Sequence, residues 1–132
     1  MFTFANPVTV NGTPDKARVT SGTGTVTSAA VNGAEVTVDL TGVTNGQKIT
    51  LTLFNVSDGT NTGDVSVPMG ILLGDTSGDG FVNSLDISQT RDQSGRKAKK
   101  DPANFRQDLN ADGFINSADI SIVRTQDGTR VP

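Results

Sequence analysis

Asp75 to Asp86 reads DTSGDGFVNSLD, and 33 residues later Asp108 to Asp119 reads DLNADGFINSAD. Both segments carry oxygen-bearing side chains at loop positions 1, 3, 5, 9 and 12, with glycine at position 6. A hard cation such as calcium takes about six to eight oxygen ligands in a loose shell, so a short loop that holds one must turn alternate side chains and one carbonyl inward. The glycine permits the sharp turn this requires. The first loop offers the side chains of Asp75, Ser77, Asp79 and Asp86, with Asn83 acting directly or through a water and Phe81 through its carbonyl. The second offers Asp108, Asn110, Asp112 and Asp119, with Asn116 and the Phe114 carbonyl. Three carboxylates crowded into each loop repel one another until a cation neutralises them, which couples folding to metal binding. Asp, Asn and Gly also make turns that hold no metal. Two such loops in register, each closed by an acid, point instead to two Ca2+ sites.

The repeat runs past the loops, since Ile87, Ser88, Arg91, Gln93 and Gly95 return as Ile120, Ser121, Arg124, Gln126 and Gly128. This extension makes the repeating unit a loop followed by a short helix, starting near Leu85 or Ala118 and ending near the glycine at 95 or 128. Ahead of the second loop, Asp101-Pro102-Ala103-Asn104-Phe105-Arg106 predicts a brief helix with Asp101 as N-cap and Pro102 in its first turn. Ahead of the first, Ile71-Leu72-Leu73-Gly74 offers no entering helix.

The missing entering helix, Asp rather than Glu at position 12, and the duplication together resemble the type I dockerin family over residues 74 to about 130. The resemblance implies an all-α pair of EF-hand-type loop-helix units, packed antiparallel, that binds a cohesin module on another protein. It also implies a contact surface at Ser84 and Leu85, at Ser117 and Ala118, and at Arg91 and Arg124 further along each helix. The internal twofold similarity would then permit two binding orientations. Ser77 departs from the family's usual Asp or Asn at position 3, and a hydroxyl there makes the first site the weaker one.

Residues 1 to 73 differ in composition, being rich in Thr, Val, Gly and Asn, with Lys and Arg confined to Lys16, Arg18 and Lys48. Period-two alternation marks strands at 16–20, 23–27, 35–40 and, most clearly, in the KITLTLF stretch from Lys48 to Phe54. Turn pairs at Asn11-Gly12, Asn32-Gly33, Asn45-Gly46 and Asp58-Gly59 separate them. Frequent turns between short half-buried strands suggest an all-β immunoglobulin-like sandwich of about six or seven strands. Its expected core is Phe2, Phe4, Val19, Val26, Val36, Val38, Ile49, Leu51, Leu53 and Phe54. The fold class is therefore mixed, a β-sandwich over 1–73 followed by a calcium-binding helical domain over 74–132. The join from Val67 to Gly74 is apolar and holds no flexible linker, so the two parts are expected to share an interface.

Composition closes off most chemistry. The chain has no His, Cys, Tyr or Trp, and its only Glu is Glu35 on an expected strand. That excludes a Ser-His-Asp system, disfavours zinc or redox metals, and removes the aromatic platforms on which sugars and bases stack. The expected protein is not an enzyme, binds no nucleic acid, and meets carbohydrate only indirectly through a larger assembly. The basic run Arg96-Lys97-Ala98-Lys99-Lys100 reads as a solvated linker between the repeats. No apolar run approaches the roughly twenty residues of a membrane span, so no membrane insertion is expected. Calcium loops without cysteine suit a secreted, extracellular or cell-surface bacterial protein, of which this chain would be the C-terminal piece. Two function classes follow: a module that docks a cohesin-like protein, or a calcium-stiffened cap, stalk or self-assembling unit of an adhesin-like or filament protein, whose repeats pack on a neighbouring domain or protomer.

Overall fold

Gln47–Ser57, the eleven-residue strand β6, organises the first half of the chain. The structure is a computed structural model, and it describes residues 1–99 and 103–132. Two compact units are formed, Met1–Ile71 and Leu72–Pro132.

The first unit holds seven antiparallel strands: β1 (Phe2–Thr3), β2 (Thr9–Val10), β3 (Ala17–Ser21), β4 (Thr25–Asn32), β5 (Glu35–Thr41), β6 and β7 (Thr62–Ile71). One sheet runs β1-β5-β4. In the other, β2 and β3 pair with successive stretches of β6, and β7 also pairs with it. Alternation along β6 sends Ile49, Leu51 and Leu53 into the interior, where all three are buried. Val36 of β5 meets Leu51 and Leu53 in one core with Val8, Val10, Ala17 and Val56, so the two sheets share a single apolar layer. Phe2, Phe4, Val19, Val26 and Val38 pack around it, half-buried. On the opposite face of β6, Thr52 is buried as well, and its hydroxyl bonds those of Thr20 at 2.9 Å and Ser66 at 2.8 Å, one rung across three strands.

Phe54 corrects the expected core. Strand register shifts between Leu53 and Val56, where Asn55 takes a left-handed φ of 49°. This bulge inserts a residue, so Leu53 and Val56 both face inward although they stand three apart. Phe54 is thereby left outside the core, half-buried, with the Arg18 guanidinium 5.9 Å from its ring centre. Gly12 also differs from its expected role as a turn glycine. A Cβ there would stand 2.2 Å from the Asp15 carbonyl oxygen and 2.6 Å from Phe54 Cβ, so close approach, and not a tight hairpin, demands glycine. At the β6–β7 turn, Asp58 accepts the N–H groups of Asn61 and Thr60, and these bonds hold its carboxyl below the ordinary value of 3.8.

The second unit contains helices α1 (Ser84–Asp92) and α2 (Ser117–Thr125), which pack on each other, and the two-residue strands β8 (Arg96–Lys97) and β9 (Phe114–Ile115), which pair. Val82, Ile115, Val123 and Thr90 are buried in this unit. Of the helix expected over 101–106, Asp101 and Pro102 lie outside the described residues, as does Lys100 of the basic run. What is described is a single 3₁₀ turn, Phe105–Gln107, behind the buried Asn104, whose side chain accepts the Lys99 N–H at 2.6 Å.

Candidate metal centres

Each loop closes on the first turn of its helix, and the same two residues do the closing. Asn83 caps α1 by accepting the Leu85 N–H at 2.8 Å, while Asp86 reaches back to the Asn83 N–H at 2.9 Å. Asn116 and Asp119 repeat this capping box on α2 at 2.8 and 2.9 Å. Loop positions 9 and 12 are thus also the N-cap and third helical residue, which explains why a helix must follow directly.

Position 12 is fully buried in both copies, since Asp86 and Asp119 have no exposed surface. A buried carboxylate needs donors. Asp86 takes the Ser77 N–H at 2.9 Å beside that of Asn83, and Asp119 takes the Leu109 N–H at 2.8 Å and that of Asn110 at 3.3 Å. Burial pushes the Asp86 carboxyl upward, but the N–H groups of Asn83 and Ser77 outweigh it and hold the group below 3.8. Position 1 gathers the opposite side of each loop. Asp75 accepts from Gly78 at 2.7 Å, Asp79 at 3.2 Å and Gly80 at 2.9 Å, and Asp108 accepts from Asp112 at 3.1 Å and Gly113 at 3.0 Å.

The remaining candidates fall between these two carboxylates. Ser77 bridges them, with its hydroxyl on Asp75 at 3.2 Å and its N–H on Asp86. Asn110 makes a side-chain bond to Asp112 at 2.8 Å. Asp79 and Asp112 each accept the N–H two residues on, from Phe81 at 2.9 Å and Phe114 at 2.8 Å. Among the described residues no three acidic side chains converge as a closed cluster. The candidate oxygens in each loop are instead two anchored carboxylates, a third that accepts the N–H two residues on, and a hydroxyl or amide. This oxygen-only mixture suits a hard cation with a loose shell and fits calcium.

Two contributors escape the loop pattern. Thr76, at position 2, is buried, with its hydroxyl 3.1 Å from Gln89 Oε1 and 3.4 Å from Asp86 Oδ1. Its counterpart 33 residues on is Leu109, and the counterpart of buried Thr90 is Val123. The only sequence signal for them is that the two copies differ at these positions.

Ser84 and Ser117 open the helices, Leu85 and Ala118 follow, and Arg91 and Arg124 occupy the last turns. All six are exposed, and Leu85 keeps 48% of its surface open although it is a leucine in the first turn of a helix. Arg96, Lys97 and Lys99 are exposed too, and Lys97 Nζ stands 5.5 Å from the centre of the Phe114 ring. No helix among the described residues is long and apolar enough to cross a membrane.

Lowering the pH in chelator should weaken this unit. Because the Asp86 carboxyl is held below its ordinary value, its contribution is fully present above pH 3.8 and is lost as the pH falls through its lowered folded value. Melts at pH 7, 4.5 and 3 check this, and Asp86→Asn should flatten the acid limb.

Residues 73–126 match the family model described as the dockerin type I domain, a segment that includes both loops and both helices. Dockerin domains are calcium-binding, non-catalytic modules for protein–protein interaction. No curated protein and no solved structure matches the chain.

Proposed function

We propose, from the match of residues 73–126 to the dockerin type I domain, that this chain is a secreted or cell-surface docking piece. In this reading two calcium ions shape a pseudo-twofold surface that binds a cohesin-like protein. The observation that carries it is the exposure, in both copies, of the same three positions: Ser84 with Ser117, Leu85 with Ala118, and Arg91 with Arg124. Structural economy would cover a helix-start leucine, and a surface of small hydroxyls beside an apolar side chain and a cation suits a partner that is both apolar and acidic.

The first calcium would be held by Asp75, Ser77, Asp79, the Phe81 carbonyl, Asn83 and Asp86. The second would be held by Asp108, Asn110, Asp112, the Phe114 carbonyl, Asn116 and Asp119. Once bound, each ion supplies positive charge that relieves the carboxylate repulsion of its loop. The chain's own residues then do the docking. Capping boxes orient the helix starts, and the arginines stand one face-length along each helix. Residues 1–73 are read as an immunoglobulin-like sandwich in the sense of two antiparallel sheets around one core, and residues 74–132 as the docking domain. The proposed role is non-catalytic.

A panel of cohesin modules, probed with the full chain in calcium, tests this. The expected result is capture that chelator reverses. Ser84→Asp with Leu85→Asp, or Ser117→Asp with Ala118→Asp, should each weaken binding only a few-fold, because the other copy can take over by the twofold relation. All four together should abolish it. Abolition of binding by either pair alone would overturn the two-orientation reading, and no capture by any module would overturn the docking role.

A further inference from the structure

The segments that leave the two helices cross over. After α1, the Gly95 N–H donates to the Ile115 carbonyl at 2.8 Å and the Ala98 N–H to the Gly113 carbonyl at 2.9 Å, flanking the β8–β9 pair. After α2, the Gly128 N–H donates to the Val82 carbonyl at 2.9 Å, the Val82 N–H to the Thr129 carbonyl at 2.9 Å, and the Val131 N–H to the Gly80 carbonyl at 3.1 Å. Phe81 and Arg130 form an antiparallel bridge between them. Shifting every residue of one set by 33 gives the other, so the exit from each copy grips the loop of its opposite copy.

What is gripped matters for metal binding. In an extended strand, backbone groups of successive residues point to opposite sides. The Gly80 carbonyl and both backbone groups of Val82 bond the exit segment on either side of the Phe81–Arg130 bridge, so Phe81 itself turns its backbone groups the other way, while the Gly80 N–H stays on Asp75. Its N–H meets Asp79 within the loop. The second copy repeats this, with the Gly113 and Ile115 carbonyls on the exit segment, the Gly113 N–H on Asp108 and the Phe114 N–H on Asp112. These are the two residues whose carbonyls were assigned as calcium ligands. The grip also seals the turn glycine of the first loop, since a Cβ on Gly80 would meet Val131 Cγ2 at 3.0 Å.

We infer that residues 128–131 are a positioning segment for the first calcium loop and residues 95–98 for the second, each aiming the position-7 carbonyl of the opposite copy. This rests on the calcium reading above. Neither segment touches the ion. Each acts by holding the residues on both sides of one ligand.

Val131→Pro and Ala98→Pro, made separately in the full chain, remove one gripping N–H each at equivalent positions. Calcium titration followed through the amide resonances of Gly80 and Gly113 reports the two loops independently. Val131→Pro should weaken the first loop by about two- to tenfold, the range expected for one lost hydrogen bond, raise hydrogen exchange at the Val82 amide, and leave the second loop unchanged. Ala98→Pro should do the reverse, weakening the second loop and sparing the first. If either variant fails to fold, the other still decides. Weakening of the loop within the same copy as the substitution, or two unchanged affinities, would overturn the positioning role while leaving calcium binding intact. A wild-type chain that takes no calcium would overturn the calcium reading itself.

Discussion

Excess chelator lowers the melting temperature of the Leu72–Pro132 unit by well over ten degrees, as read from its helix signal. The unit has little else to hold it. Among its described residues the buried apolar side chains are few, and two of the interior positions are the fully buried carboxylates Asp86 and Asp119. A ligand present at a hundredfold excess over its Kd stabilises the folded state by about 2.7 kcal/mol, and two ions would act on one small unit. For domains of about 60–100 residues, 1 kcal/mol moves the midpoint by about 4–8 °C. The expected shift therefore exceeds ten degrees even if the first site, with Ser77 at position 3, is the weaker. Titration with magnesium separates calcium from general divalent screening, because magnesium demands a tighter octahedral shell and gives up its waters reluctantly. An unchanged melt in excess chelator would remove the calcium assignment.

Leu53→Ala destabilises the Met1–Ile71 unit by about 2–5 kcal/mol, the range for a large-to-small change at a fully buried site. Leu53 has no exposed surface and sits where both sheets contribute to the core. A domain of this length holds only a small reserve, so the denaturant midpoint falls by a large fraction of its value. Phe54→Ala is the control. It deletes a larger side chain from the next position, yet its effect should be smaller, since Phe54 lies outside the core. Equal losses would mean that the bulge at Asn55 does not divide the two residues as described.

The contrast between those neighbours marks where a sequence stops being readable. Alternation from Lys48 to Leu53 announces a half-buried strand, and Ile49, Leu51 and Leu53 point inward as the period requires. Nothing in the letters says that the period breaks at Asn55, because a bulge is set by how the partner strand pairs. Val8, Val10 and Ala17 were missed for a related reason. Val10 and Ala17 sit on strands buried by docking along β6, and Val8 lies just ahead of β2 with its N–H on the Gly33 carbonyl, so none belongs to an apolar run of its own. The helix that follows each loop was legible, since its onset near Leu85 or Ala118 and its stop near a glycine are local signals. The crossing exit segments were not, because Gly128 to Val131 carry no motif and gain their role only from what they pair with.

The exchange of Leu109 and Val123 for Thr76 and Thr90 in the first copy sets the two halves of a duplication on different thermal footings. Exposing apolar surface raises the heat capacity of unfolding and exposing polar surface lowers it. The second copy's interior is therefore the one whose hold weakens on cooling, as hydrophobic attraction fades, while the first, tied by the hydroxyls of Thr76 and Thr90, follows a flatter curve.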